Sequence, residues 1–157
     1  MTVIIHSTLD DGYDFYFTDN WKKKHHFKIS TFEVPSGLLS EAIEVITPDI
    51  EVTERRFQVL SDFDADIEKA ELLLKAKIRK RLNIKYLKTE GDKLIIVNEK
   101  TVVGNIDWSG EYSDTQFDKI FTIDGKRITI EQFVEMLSPY EGFDFKFEIF
   151  DQCDDIE

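Results

Sequence analysis

Cysteine, proline and glycine are all scarce in this sequence, and each shortage excludes a class of protein. Cys153 is the single cysteine among 157 residues, so neither an intrachain disulfide framework nor a cysteine-based zinc site can form. Three prolines and seven glycines argue against a low-complexity chain. The chain is therefore expected to fold around a hydrophobic core, and a reducing, cytoplasmic compartment fits it best.

Long apolar runs are missing as well. No stretch approaches the roughly 18 apolar residues of a membrane span, and residues 1–10 lack the basic leader and apolar run of an export signal. The 20 Lys and Arg residues are outnumbered by 32 Asp and Glu, which gives a net charge of -12. Such a charge repels nucleic acid and anionic membranes, so the expected partner is another protein. No cofactor is expected, and the sequence leaves the oligomeric state open.

Hydrophobic periodicity supplies the positive evidence for a fold. Apolar residues alternate with polar ones in several short segments, which is the pattern of half-buried strands. From Asp62 the spacing changes to three and four residues, which predicts a long helix over residues 64–88. Thr129 followed by Gln132 is a capping-box pattern and predicts a short helix over residues 130–137. The predicted strands are Tyr13–Phe17, His26–Phe32, Ala42–Ile46, Arg56–Leu60, Leu94–Val97, Val102–Trp108 and Ile120–Ile123.

These elements predict an α+β fold. Mainly antiparallel strands form one or two sheets packed on one long central helix, and a short second helix lies near the C-terminus. Because no linker separates two domains, residues 1–157 are interpreted as a single domain with two β-rich lobes. The lobes cover about 1–61 and 91–150, helix 64–88 joins them, and 151–157 is an acidic tail.

The alternating stretch Phe143–Ile149 is predicted to be the closing strand. Its aromatic residues would share one face and its charged residues the other. On this interpretation Phe145 lies in the core, and its replacement by Ala costs roughly 3–5 kcal/mol.

Three aspartates at alternate positions, Asp62, Asp64 and Asp66, form the most metal-like cluster. Carboxylate oxygens in such a cluster suit Ca²⁺ or Mg²⁺, which leaves a metal-dependent hydrolase or nuclease open as an alternative function. The EF-hand pattern does not fit, because Ile67 stands where glycine is needed and Leu73 where glutamate is needed. The preferred interpretation is structural: Asp62 or Asp64 caps the helix, and Asp66 complements its dipole.

A basic stripe is the best lead to a partner. In a helix extending to residue 88, Lys77, Arg81, Lys85 and Lys88 would line one side and could contact an acidic protein. A solvated helix face that complements the dipole is the competing interpretation.

The most recognisable stretches of the sequence are His26–Ile29, Glu41–Glu44, Phe57–Asp66, Val103–Ile106, Ile123–Lys126 and Tyr140–Ile149. They resemble an uncharacterised bacterial family of domains of unknown function. The similarity extends from about Lys24 onward, and its most specific part is the last motif. Some members carry a zinc-ribbon-like segment ahead of this domain; residues 1–23 contain no cysteine, so no zinc-dependent property is implied here. The resemblance implies domain extent and no activity.

The functional hypothesis from sequence is a non-enzymatic cytoplasmic interaction module that binds another protein. A hydrolase or nuclease using the aspartate cluster is one alternative. An acidic mimic of nucleic acid acting as an inhibitor is the other, although the interspersed basic residues disfavour it.

Overall fold

The computed structural model describes residues 3–4, 12–47, 54–98, 100–108 and 119–154. Two stretches interpreted from the sequence lie largely or partly outside this part of the chain. They are residues 1–10, of which only 3–4 are described, and the predicted acidic tail, of which 155–157 are not described. Two compact units are present. Of the described residues, the first unit contains 3–4, 12–47, 54–83 and 148–154, and the second contains the rest, from 84 to 147. The predicted single domain with two lobes stays a prediction.

The first unit consists of one antiparallel sheet and one helix. Strand β3 pairs with β4, β4 pairs with β5, and both β1 and β2 pair with β3. The first two aromatic strands form an antiparallel hairpin, in which Tyr13 of β2 lies opposite Ile29 of β3. The elements are β1 Val3–Ile4, β2 Tyr13–Thr18, β3 Lys24–Val34, β4 Gly37–Glu44, β5 Arg56–Ser61 and α1 Ile67–Leu82.

One face of this sheet is buried because alternate residues of β3 and β4 point toward α1. The register places Ile29 opposite Ala42, and both are fully buried with Phe27. Leu74 and Ile78 of α1 join the same core cluster. Polar residues occupy both ends of this apolar face, and they form the networks described below.

Helix α1 is shorter than the sequence predicted, and it is not a central helix between lobes. It runs from Ile67 to Leu82 and packs on β3, β4 and β5 of its own unit. The chain leaves the helix at Asn83, a poor helix former, whose side chain accepts a hydrogen bond from the Asn20 N–H at 2.9 Å. The following Tyr86 and Leu87 N–H groups bond to the Asp124 carboxylate and so do not continue the helix.

The second unit contains two small antiparallel sheets and a short helix. Strand β9 lies between β8 and β10, β6 pairs with β7, and α2 packs against β7, β9 and β10. Ile123, Ile128 and Met136 are buried in its core. The elements are β6 Leu87–Glu90, β7 Lys93–Ile96, β8 Asn105–Trp108, β9 Lys119–Ile123, β10 Lys126–Thr129 and α2 Ile130–Met136, followed by a 3₁₀ turn at Ser138–Tyr140.

The predicted α+β class is confirmed, as are the antiparallel pairing and the short second helix. The capping box is confirmed too: Thr129 Oγ1 accepts from the Gln132 N–H, and Gln132 Oε1 accepts from the Thr129 N–H. The prediction of one or two sheets on one long helix was wrong, since the described residues form three sheets. The closing strand was wrong as well, because residues 143–150 form neither helix nor strand.

Candidate functional site

A buried network of charged groups lies at one end of the first unit's core. His25 Nε2 is 2.8 Å from Asp19 Oδ2, and His25 Nδ1 is 3.2 Å from Arg55 Nη2. Arg55 also donates to both carboxylate oxygens of Glu44, from Nε at 3.0 Å and from Nη2 at 2.9 Å. Arginine has no acceptor, so His25 Nδ1 accepts and His25 Nε2 carries the proton given to Asp19.

The Asp19 carboxylate is also held by backbone groups. Its Oδ1 accepts from the N–H groups of Trp21 at 2.8 Å and Lys23 at 3.0 Å. Burial acts to raise the pKa of Asp19, but the hydrogen bonds from His25, Lys23 and Trp21 outweigh it and hold the pKa below its ordinary value. The histidine is oriented as in a catalytic dyad, yet it is only 5% exposed. Both ring nitrogens are engaged within the chain, so the arrangement serves structure.

A second buried network ties α1 to the other end of the same face. Tyr13 donates from its hydroxyl to Glu71 Oε1 at 2.7 Å, and Thr31 donates to Glu71 Oε2. Because the Thr31 proton is used in that bond, the Ser40 hydroxyl, 2.9 Å away, must donate to Thr31. Burial raises the pKa of Tyr13, and the hydrogen bond to Glu71 raises it further. Thr31 and Ser40 are fully buried, so neither hydroxyl is placed to attack a substrate.

The three aspartates of the predicted cluster are placed around the start of α1. Asp66 is the N-cap, and its side chain accepts from the Glu68 N–H at 3.0 Å. The capping role thus belongs to Asp66 and not to Asp62 or Asp64. Asp62 and Asp64 lie in the preceding turn, which is closed by a hydrogen bond from the Ala65 N–H to the Asp62 carbonyl oxygen. Within the described ranges, no group of three or more His, Cys, Asp or Glu side chains is arranged to hold a metal ion.

The four basic residues of the predicted stripe do not share one helix face. Lys77 and Arg81 lie in α1, whereas Lys85 follows the helix end and Lys88 lies in β6 of the second unit. Lys85 and Lys88 are exposed, but Lys77 is buried at 8% exposure. The stripe required a helix to residue 88, and α1 ends at Leu82. A role of these residues in binding a partner stays a prediction.

Lys77 fixes the C-terminal segment, which we define as residues 148–154, to the first unit. Its ammonium donates to the carbonyl oxygens of Gln58 at 3.0 Å, Asp154 at 3.1 Å and Gln152. An ammonium has three protons, and three carbonyls accept them. The positive charge is therefore buried with its hydrogen-bonding capacity satisfied by main-chain groups.

Two side chains next to Lys77 complete this binding surface, which we call the cradle and define as Gln58, Lys77 and Arg81. The Arg81 guanidinium lies 5.9 Å from the ring centroid of Phe57 and 5.8 Å from that of Phe150. Gln58 Oε1 lies 3.7 Å from Cys153 Sγ. Burial raises the pKa of the Cys153 thiol, and the neighbouring Asp151 carboxylate adds to the effect. The cradle thus holds a short peptide by its main chain and one aromatic ring.

An exposed run of phenylalanines precedes the C-terminal segment. We define the aromatic segment as Phe143–Phe147. Phe145 is 90% exposed, Phe147 65% and Phe143 61%, although Phe143 packs edge-on against Tyr140. The prediction that Phe145 lies in the core was therefore wrong. No ladder joins the aromatic segment to any strand among the described residues.

Sequence reasoning missed the cradle and both buried networks. His25 and His26 lie on opposite faces of β3: His25 bonds Asp19, and His26 lies 2.7 Å from Asp14 while stacking on Tyr16. Alternate residues of β3 are buried, and His25 lies on the same face of the strand as Phe27. The strand pattern therefore indicated that His25 is a buried polar residue. No comparable signal marked the cradle, because Lys77 is one of many lysines in a basic helix.

Comparison with known families divides the chain between residues 83 and 84, as the structure does, although the second match also covers residues 148–154 of the first unit. Residues 11–83 match a family model described as a domain of unknown function (DUF7686), and residues 84–154 match another (DUF7713). The predicted resemblance to domains of unknown function is confirmed at that level. No curated protein and no solved structure gives a significant match. The boundary between the two matches falls between Asn83 and Ile84, where the first compact unit gives way to the second.

The helices were also tested against the requirements of a membrane span. Across the residues that the structure describes, neither length nor apolarity of any helix is sufficient to cross a bilayer.

Proposed function

We propose that this protein is a non-enzymatic, cytoplasmic interaction module that binds another protein through the aromatic segment. The observation that carries the proposal is the exposure of three phenylalanines at alternate positions, with Phe145 at 90%. Aromatic side chains are enriched at protein interfaces because they bury much apolar area at low entropic cost. Leaving three of them in water is unfavourable unless a partner covers them.

Strand addition is the binding mode that suits this segment. Phe143, Phe145 and Phe147 would fall on one face of a strand, and Asp144 and Lys146 on the other. A partner with an exposed sheet edge would supply main-chain hydrogen bonds and an apolar surface for the three rings. The single cysteine and the acidic charge are consistent with a reducing, cytoplasmic setting.

Photo-crosslinking in native extract tests the proposal. The photoreactive residue p-benzoylphenylalanine replaces Phe145 in one chain and Leu72, which is 61% exposed on α1, in a matched control. We expect a discrete adduct from position 145 and none from position 72. The adduct should be lost when Phe143→Ser and Phe147→Ser are added. Equal labelling from both positions, or no adduct from position 145, would refute the aromatic segment as a binding surface.

A further inference from the structure

The C-terminal segment is held by contacts that another copy of the chain could supply equally well. The three carbonyls that accept from Lys77 are main-chain groups, and two of them belong to the segment itself. Its Phe150 ring lies against the Arg81 guanidinium. No strand ladder connects residues 148–154 to the sheet. The docked segment therefore behaves like a short bound peptide that is covalently attached.

The chain just before this segment has the properties of a hinge. Residues 141–150 form neither helix nor strand and are all exposed. Gly142 has a φ of 89°, and a Cβ placed there would meet nothing within 4 Å. Pro139 in the preceding 3₁₀ turn marks the end of regular structure. Changing the path of residues 141–147 would break no backbone ladder among the described residues.

The aromatic segment is complementary to itself in one antiparallel register. If two copies pair about a twofold axis at Phe145, Phe143 lies opposite Phe147, and Asp144 lies opposite Lys146. Each aromatic residue then faces an aromatic residue, and each charge faces its opposite, which are favourable cross-strand pairs. An isologous contact of this kind is the usual one in homodimers.

From the cradle, the hinge and this register we infer that the partner of the aromatic segment is a second copy of the chain. The two copies exchange their C-terminal segments, so that the cradle of each holds residues 148–154 of the other. Every cradle contact is conserved in the exchange, and the new aromatic pairing offsets the entropic cost of association. The inference rests on the proposed function, because it names the protein that covers the aromatic segment.

Cysteine chemistry at the cradle tests the exchange directly in the full-length chain. The acceptor chain carries Gln58→Cys and Cys153→Ser, and the donor is the unaltered chain with its single Cys153. A short bismaleimide is applied to a concentrated mixture of differently tagged chains. It joins the thiol introduced at position 58 of the acceptor to Cys153 of the donor when the donor's segment occupies the acceptor's cradle.

We expect this mixed product in large excess over the product from a reference acceptor that carries Leu72→Cys and Cys153→Ser. Adding Lys77→Met to the first acceptor should reduce the product to the reference level.

One control keeps the result interpretable. A chain with Gln58→Cys and native Cys153, treated at high dilution, should crosslink within itself, which shows that the acceptor folds and that the thiols are within reach. Given that control, a mixed product no greater than the reference refutes the exchange. If purified protein fails to exchange while Phe145 photo-crosslinks to a different protein in extract, the proposed function stands and the second copy is wrong. If both experiments fail, the proposed function is wrong too.

Discussion

At the scale of single residues, the buried charges are placed where the apolar face of the first sheet ends. At one end, hydrogen bonds join the side chains of Asp19, His25, Glu44 and Arg55. At the other end, the Glu71 carboxylate accepts hydrogen bonds from Tyr13 and Thr31. A buried charge is costly unless it is paired and hydrogen-bonded, and these groups are. The pKa values of Asp19 and Tyr13 are shifted in the folded chain, so the contributions of these two residues to stability should depend on pH.

Asp19 should make the protein sensitive to acid. Its folded pKa lies below its unfolded value, so its stabilisation is present above about pH 4 and is lost as the pH falls through the folded pKa. We expect Asp19→Asn to lower the free energy of unfolding at neutral pH and to flatten its decline in acid. Urea denaturation across the acid range measures both effects. Parallel pH profiles for the two proteins would contradict this assignment.

Tyr13 should make the protein sensitive to alkali. Its folded pKa is raised, so its contribution is complete below about pH 10 and is lost as the pH rises, because the unfolded chain ionises first. We expect the unfolding free energy of the native chain to fall above that pH more steeply than that of Tyr13→Phe. Phenolate absorbance gives a second measurement, since Tyr13 should ionise only on unfolding. A folded native chain with the Tyr13 phenolate already formed would exclude the burial we describe.

At the scale of elements, sequence pattern identified the type of most segments but not whether each had a partner. The alternation of Phe143–Phe147 is the pattern of a half-buried strand, and β3 has the same pattern and is buried. The difference is that β3 has β2 and β4 beside it to pair with, whereas no strand among the described residues pairs with the aromatic segment. The alternation within a segment does not show whether such a pairing strand is present. Helix α1 illustrates the same limit, because the carboxylate that holds Tyr86 and Leu87 belongs to Asp124.

The candidate site was predictable only in part for the same reason. The basic residues of α1 were singled out, and two of them, Lys77 and Arg81, do contribute to the cradle. The acceptors of Lys77 are 19, 75 and 77 positions away in sequence, so the sequence could not show that it is buried. The spacing predicted a solvent-facing stripe because only helical periodicity was available.

The cap of α1 gives a matched pair of variants. Asp66→Ala removes the acceptor of the Glu68 N–H and should destabilise the protein by about 1 kcal/mol. Asp64→Ala, two residues earlier and outside the cap position, should cost clearly less. Thermal or urea unfolding of both variants measures the difference. Equal losses would mean that the dipole effect of nearby carboxylates outweighs the cap hydrogen bond.

The C-terminal segment gives the second prediction at this scale. A chain ending at residue 147 leaves the Lys77 ammonium without two of its carbonyl acceptors, so we expect a lower melting temperature. A synthetic peptide of residues 148–157 should restore part of the loss in proportion to its concentration. The same peptide with Phe150→Ala should bind more weakly, because it lacks the ring next to Arg81. An unchanged melting temperature on truncation would show that the docked segment contributes nothing to stability.

At the scale of the whole molecule, structure and family comparison divide the chain at the same place. The two matches meet between residues 83 and 84, and so do the two compact units, apart from the returning C-terminal segment. Each unit has a core of its own, with Ile29 and Leu74 in one and Ile123 and Ile128 in the other. Sequence periodicity did not show this division, because no polar or glycine-rich linker marks it.

This division leads to a prediction for the second unit on its own. Residues 84–147 contain a buried cluster built on Tyr86, Leu87 and Met136, a capped helix and two antiparallel sheets. Domains of about 60 residues can fold alone when they have a core, although with little stability to spare. We expect this fragment to give a dispersed amide NMR spectrum and a cooperative thermal transition.

The stability of the fragment should depend on Asp124, because that carboxylate accepts hydrogen bonds from the Tyr86 and Leu87 N–H groups. Asp124→Ala should therefore lower the transition temperature of the fragment, whereas Asp144→Ala, in the exposed aromatic segment, should leave it nearly unchanged. A fragment with a collapsed spectrum and no transition would show that the second unit requires the rest of the chain to fold.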